Sequence, residues 1–240
     1  MKIESNFSPN FTKKNRKLKD IKFVIIHYTG MQSQIESIKR LKNKNSKVSC
    51  HYLINREGKV IQMVKDKNIS WHAGKSKWKN FVNLNYNSIG IELVNKGHQF
   101  GYQSFTKYQI KNLIILCKRL KKKYGIKSSN FLGHSDIAPL RKIDPGEKFP
   151  WKILSKFKIG KWYTKNNKVL TKNTKKYRNV FFKNLNRIGY RYFNAQKRSI
   201  NDKKIIRSFQ QHYLPNNVTG RLDQKTCIIS QYLANLYKAP

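Results

Sequence analysis

Hydrophobic positions fall first in short runs and alternations, and later at helical spacing. Residues 21–29, IKFVIIHYT, form an apolar run rich in β-branched side chains, which predicts a buried strand ending at His27. In the following SQIESIKRLK, Ser33 and Glu36 stand at capping-box spacing and predict the start of a helix. CHYLINREGKVIQMV (50–64) is two apolar runs around Arg56, Glu57 and Gly58, the pattern of a hairpin. SIGIELV (88–94) alternates, so Ile89, Ile91 and Leu93 share one face while Gly90, Glu92 and Val94 share the other. A carboxylate thus sits on a strand face next to a residue without a side chain.

Thr106 and Gln109 make a second capping box. The helix it opens places Ile110, Leu113, Ile114, Cys117 and Leu120 at helical period and ends at Gly125. NFLGH (130–134) reads as a further strand that delivers His134. Residues 158–176 are polar, basic and weakly periodic, and read as a linker. Beyond them, Phe181, Leu185 and Ile188, then Ile205, Ile206, Phe209 and Tyr213, carry helical spacing, and a third helix follows a turn at Gly220 and a cap at Asp223. Roughly 60 residues in three short helices is near the lower limit for a unit that folds alone, so this part is expected to lean on its neighbour.

Charge changes the picture of partners, not of fold. The 52 Lys and Arg against 11 Asp and Glu give a net charge of +41, which favours anionic partners. The basic residues are spread through nearly every segment and no base-reading module appears, so a compositional habit explains them better than a specific nucleic-acid footprint. Cys50, Cys117 and Cys227 are far apart and suggest neither a disulfide framework nor a paired-cysteine metal site. No run reaches the ~18 apolar residues of a transmembrane helix. The first twenty residues lack the apolar centre of a secretory signal, which leads to the expectation of a chain that starts in the cytoplasm.

The chemistry-bearing residues are His27 and His134 at strand ends, Asp144 in the turn-rich stretch GHSDIAPLRKIDPGEKFPW (133–151), and Glu92 on a strand face. Two neutral imidazoles and one carboxylate form a three-ligand set that leaves a fourth tetrahedral position for water, the pattern of a catalytic zinc site. Glu92 would then shuttle a proton and Lys142 steady an oxyanion. Residue by residue, the ordinary readings stand beside this one: a hydrogen-bonded histidine at a strand end, an Asp-Pro-Gly turn, a half-exposed strand glutamate.

Taken in order, FVIIHYTG, CHYLINREGKVIQMV, WHAGKSKW, NSIGIELVNKG and GHSDIAPLRKIDPGEKFPW resemble the zinc-dependent N-acetylmuramoyl-L-alanine amidases of the type 2 family over residues 20 to 157. The resemblance implies an α/β fold, a central mixed β-sheet flanked by helices, with residues 1–157 as the catalytic domain, and one Zn2+ per chain. It makes His27, His134 and Asp144 the metal ligands, Glu92 the catalytic glutamate and Lys142 the transition-state lysine. It also makes His72, Ala73, Gly74 and Trp78 candidates for substrate contact. His51 stands between contact and packing, and Trp71 reads as groove wall or core. Phage-type members carry a tyrosine where this chain has Cys50, which leaves the tyrosine role empty, with Tyr28 and Tyr52 the only neighbours to fill it. His98 and His212 read as ordinary surface or structural residues. Residues 177–240 are similar in part to the helical peptidoglycan-binding module of some of these enzymes. The implied partners are peptidoglycan or muropeptide fragments. The cell envelope is the place this function implies, with the cytoplasm as the alternative. A noncatalytic peptidoglycan-recognition protein is the competing reading of the same groove.

Overall fold

Residue parity along two central strands decides which face of the sheet carries chemistry and which carries core. The computed structural model describes residues 1–13, 16–164 and 174–237. Its strands are β1 (Ile3–Ser5), β2 (Phe11–Thr12), β3 (Phe23–Tyr28), β4 (Tyr52–Ile54), β5 (Val60–Gln62), β6 (Ile69–Ser70), β7 (Lys77–Trp78), β8 (Phe81–Val82), β9 (Ser88–Leu93) and β10 (Phe131–Gly133). Its helices are α1 (Gln34–Lys42), α2 (Lys107–Tyr124), α3 (His134–Ile137), α4 (Trp151–Ser155), α5 (Thr174–Ile188), α6 (Asp202–Tyr213) and α7 (Gln224–Leu236). Six strands form one sheet in the order β1-β5-β4-β9-β3-β10. The β4–β5 hairpin is antiparallel and the other pairings are parallel, which makes the sheet mixed.

In the parallel β3–β9 pairing, Phe23 faces Ser88, Ile25 faces Gly90 and His27 faces Glu92. Paired residues point to the same side of a sheet. One face therefore ends in His27 and Glu92, while Val24, Ile26, Ile89, Ile91 and Leu93 of the other pack on Leu113, Leu116, Cys117 and Leu120 of α2. That helix starts as expected: Thr106 Oγ1 accepts from the Gln109 N–H, Gln109 Oε1 accepts from the Thr106 N–H, and Gly125 closes it at φ 62. At α1, Ser33 Oγ accepts from the Glu36 N–H, but the Glu36 carboxylate reaches back to the Gln32 N–H, one residue before the cap.

The helices α5, α6 and α7 do not build a core of their own. Phe181, Leu185, Phe209 and Leu233 belong to the same apolar cluster as Phe23, Ile25, Leu132 and Ile137 from the sheet side. The expected linker needs correction at its start, because Ile159 is fully buried and Trp162 packs against both main clusters. Its middle, 165–173, lies outside the described residues, and α5 begins at Thr174, before the expected 177. Among the described residues no helix is long and apolar enough to cross a membrane.

Candidate active site

The turn-rich stretch after β10 folds back so that two residues ten positions apart meet. Its closure is a backbone bond from the Ser135 N–H to the Asp144 carbonyl, 2.8 Å, and Gly133 is required because a Cβ there would lie 2.7 Å from Pro145 Cδ. His27 arrives from the neighbouring strand. As a result His27 Nδ1 and His134 Nδ1 are 3.0 Å apart, and Asp144 Oδ2 lies 3.0 Å from the first and 3.1 Å from the second. All three side chains are buried.

These atoms fit a metal. His134 Nε2 lies 3.2 Å from the Ala73 carbonyl, which can only accept, and 3.4 Å from Arg141 Nη2; the shorter contact favours the proton on Nε2, which leaves Nδ1 with a lone pair. Lone-pair atoms and a carboxylate oxygen at such spacing suit a cation among them, and their triangle is close to one face of a zinc tetrahedron, whose edges are roughly 3.3 Å for bonds of about 2.0–2.1 Å. Burial and the neighbouring His134 bring His27 down to about 4, against the pull of Asp144, so it is neutral at pH 7. Burial alone would raise Asp144, but His134 and His27 hold it well below the usual carboxylate range.

Glu92 stands beside this triangle. Its Oε2 is buried without a hydrogen-bond partner among the described residues, and burial, aided by the charge of Asp144 and opposed by Lys142, pushes its carboxyl up to about 8. A buried polar atom without a protein partner calls for a ligand or water. Glu92, Lys142, His27, His134 and Asp144 all line one cleft of about 550 Å³. Trp71 and Tyr28 form part of its wall.

Several expected substrate contacts are placed elsewhere. Trp78 is fully buried, its ring 4.9 Å from that of Tyr190, where Gly189 leaves room for it, so it is a core residue. Ala73 is fully buried as well, and it serves through its carbonyl, which accepts from His134 and from Arg141 Nη2. Gly74, at φ 54, sits under the Arg141 guanidinium, which also donates to the Lys75 carbonyl at 3.0 Å and so staples the 71–76 loop to the 134–144 stretch. His51 is fully buried behind the cleft. Its Nδ1 accepts from the Gly90 N–H at 3.0 Å, and burial beside Arg16 lowers it to about 3. His72, 8% exposed, does border the cleft.

Cys50 is fully buried, with burial raising its thiol, and the Tyr52 hydroxyl donates to Asp66 Oδ1 at 2.6 Å, which removes both from the cleft. The Tyr28 hydroxyl lies 3.0 Å from His98 Nδ1, and His98 pairs with Glu147 at 3.1 Å. Sequence reasoning missed Arg16, Arg141 and Asp136. Arg16 is 3% exposed and donates to the carbonyls of Asp66, Asn85, Tyr86 and Ser88. Asp136 accepts from the Gly133 N–H, the Tyr190 hydroxyl and His212 Nδ1.

A mixed sheet that carries two histidines, an aspartate and a glutamate into one cleft, with a donor set that could hold a metal ion, points to a hydrolase. Residues 17–147 match the N-acetylmuramoyl-L-alanine amidase family, Amidase_2, and the chain belongs to that family. It is 34% identical over 233 residues to the N-acetylmuramoyl-L-alanine amidase AmiD of Escherichia coli K12, covering 90% of this chain and 83% of that one. The fold is similar to that of E. coli AmiD in complex with the substrate anhydro-N-acetylmuramic acid-L-Ala-D-gamma-Glu-L-Lys, with a TM-score of 0.80 at 31% identity over 94% of this chain and 92% of the other. It is also similar to AmpDh3 of Pseudomonas aeruginosa in complex with anhydromuramic pentapeptide, with a TM-score of 0.79 at 31% identity over 94% and 95% of the two chains.

Proposed function

We propose that the chain hydrolyses the amide between the lactyl group of N-acetylmuramic acid and the L-alanine of the stem peptide, in peptidoglycan or its muropeptide fragments, with one zinc ion held by His27, His134 and Asp144. The observation that carries the reading is the buried Oε2 of Glu92, without a partner among the described residues, beside three converging atoms that could hold a metal. Zinc bound there would polarise the scissile carbonyl and supply a water of lowered pKa. Glu92 takes the proton released as the carbon–oxygen bond forms, and returns it to the alanine nitrogen as the carbon–nitrogen bond breaks. Lys142 lines the same cleft, and its ammonium would steady the carbonyl oxygen as it gains charge. Recognition without catalysis is the weaker reading, since a binding groove has no need of a proton carrier at that position.

The test combines metal content and turnover. The purified chain should hold near-stoichiometric zinc and release free peptide from a muramoyl tripeptide, as followed by mass spectrometry, and a chelator should stop the release. Glu92→Gln should keep its zinc and lose about 10²- to 10⁴-fold in kcat. Undiminished turnover in that variant refutes the assigned role, and zinc-loaded protein that binds muropeptide without releasing peptide establishes the recognition reading. Wall material in the envelope is the proposed site of action, with the cytoplasm as the alternative, and recovery of the chain only in a cytosolic fraction would favour action on internalised fragments. For the C-terminal helices, the apolar cluster shared with the sheet favours bracing over an independent wall-binding role.

A further inference from the structure

The 71–76 loop brings a third histidine to the metal centre. His72 Nδ1 lies 3.0 Å from His27 Nε2, and its Nε2 lies 3.1 Å from Ser88 Oγ. Ser88 Oγ is in turn 2.6 Å from the Leu84 carbonyl. A carbonyl only accepts, so the single serine hydrogen goes to Leu84. Ser88 can then only accept from His72, which puts the His72 proton on Nε2 and leaves Nδ1 bare. A bare Nδ1 must accept from His27, which puts the His27 proton on Nε2 and turns its Nδ1 lone pair toward His134 and Asp144. One hydroxyl hydrogen thereby sets the direction of the whole relay.

The ring has nowhere else to go. A Cβ at position 90 would lie 2.4 Å from His72 Cγ, so the imidazole fills the notch that Gly90 leaves on the sheet face between Ser88 and Glu92. Its backbone is pinned from below, where the His72 and Ala73 N–H groups donate to Asn85 Oδ1 at 3.0 and 2.6 Å. The His27 and His72 rings meet edge-on at 87° with centroids 5.1 Å apart. We propose that His72, oriented by Ser88 and seated on Gly90, is a positioning residue that fixes the tautomer and ring plane of His27 for metal binding. The inference rests on the reading of His27, His134 and Asp144 as a zinc site, and it assigns His72 a task other than holding substrate.

The experiment uses the full chain and three variants. His72→Phe fills the notch but accepts no hydrogen bond, His72→Asn puts an amide oxygen near the position of Nδ1, and Ser88→Ala removes the acceptor that sets the tautomer. Zinc affinity is read by chelator competition, the His27 tautomer in the zinc-free protein by long-range 15N NMR, and turnover on a muramoyl tripeptide supplies kcat and KM. His72→Phe should bind zinc about 10- to 100-fold more weakly, in the range seen when groups behind a metal ligand are removed. Its KM at saturating zinc should stay near the parent value, His72→Asn should recover most of the affinity, and Ser88→Ala should weaken zinc and mix the His27 tautomers. Parent-like zinc affinity and tautomer in His72→Phe overturn the inference, and so does His72→Asn binding no better than His72→Phe. Should His72→Phe fail to fold, Ser88→Ala decides, and unchanged affinity there overturns it. A parent chain that binds no zinc refutes the zinc reading itself, whereas a zinc-binding parent with indifferent variants refutes this inference alone.

Discussion

The Tyr190 hydroxyl offers a clean perturbation of the seam between the sheet and the C-terminal helices. It donates to Asp136 Oδ1 at 2.5 Å, while Oδ2 of the same carboxylate accepts from the Gly133 N–H at 2.7 Å and from His212 Nδ1 at 2.8 Å. Tyr190 is fully buried and Asp136 is 1% exposed, so no water replaces a lost donor. Tyr190→Phe keeps the ring against Trp78 and Phe209 and removes only the hydroxyl. Hydrogen bonds to charged groups are worth about 1.5–3 kcal/mol, which sets the expected loss near 2 kcal/mol. At roughly 2–4 °C per kcal/mol for a chain of this size, Tm should fall by about 4–8 °C. Thermal unfolding followed by far-UV circular dichroism and by tryptophan fluorescence should show one shifted transition, with kcat/KM at 25 °C unchanged. Tyr213→Phe is the internal control. Among the described residues its hydroxyl meets only that of Tyr237, at 3.4 Å, and its loss should cost under about 1 kcal/mol. Equal effects of the two substitutions, or two separate transitions, would refute the reasoning that the seam is one cooperative structure.

Arg16→Ala leaves two buried and two part-buried carbonyls without this donor and should cost at least about 3 kcal/mol by urea denaturation; a loss below about 1 kcal/mol would show that water replaces the guanidinium. Arg16→Lys should recover little, because one ammonium cannot span the fork. Asp66 gives the pH dependence: burial would raise it, but the Tyr124 and Tyr52 hydroxyls hold it below the usual carboxylate range. Its contribution is complete above the unfolded value of about 3.9 and is lost as pH falls through the lower folded value. The urea-midpoint gap between the parent chain and Asp66→Asn should therefore be wide at pH 7 and narrower at pH 3, and a pH-independent gap contradicts this assignment. Arg40, Arg141 and Lys142 line the cleft, so KM for an anionic muramoyl peptide should rise several-fold from about 50 to 500 mM salt while kcat holds, and a flat KM would mean that these charges do not steer substrate.

What the sequence made legible was whatever depends on short-range periodicity. The alternation in SIGIELV put Gly90 and Glu92 on one face before any coordinates, and the structure pairs that face with Ile25 and His27. The Thr106–Gln109 box and the Asp223 cap are local by nature, and both formed. Trp78 was misplaced because its surroundings are not local: in WHAGKSKW it looks like groove, and only the approach of Gly189 and Tyr190 from the C-terminal unit turns its site into core. Arg16 had no signal at all. It is one of 52 cationic residues, and its burial depends on carbonyls at 66, 85, 86 and 88 that only the folded chain assembles. His212 was read as structural or superficial, and its importance is visible only once Asp136 lies beneath it.

The C-terminal helices reach the candidate metal site from behind. From α6, Ser208 Oγ donates to the Ser135 carbonyl at 2.8 Å, His212 Nδ1 meets Asp136, and Lys204 Nζ donates to the Leu140 carbonyl at 3.2 Å. All three contacts fall within 135–140, inside the stretch that supplies His134, Lys142 and Asp144. On its cleft side the same stretch is tied by Arg141 to the 71–76 loop. A loop rich in turn formers loses much entropy on ordering, and positions its ligands only if contacts on both sides hold it. An apolar face alone would let α6 dock in several registers. The buried Asp136 network selects one of them, because a slip of α6 takes the His212 donor away from a carboxylate that stays buried. The helices share their apolar cluster with the sheet, and the 134–144 stretch is held from both sides, so each supplies a constraint to the other.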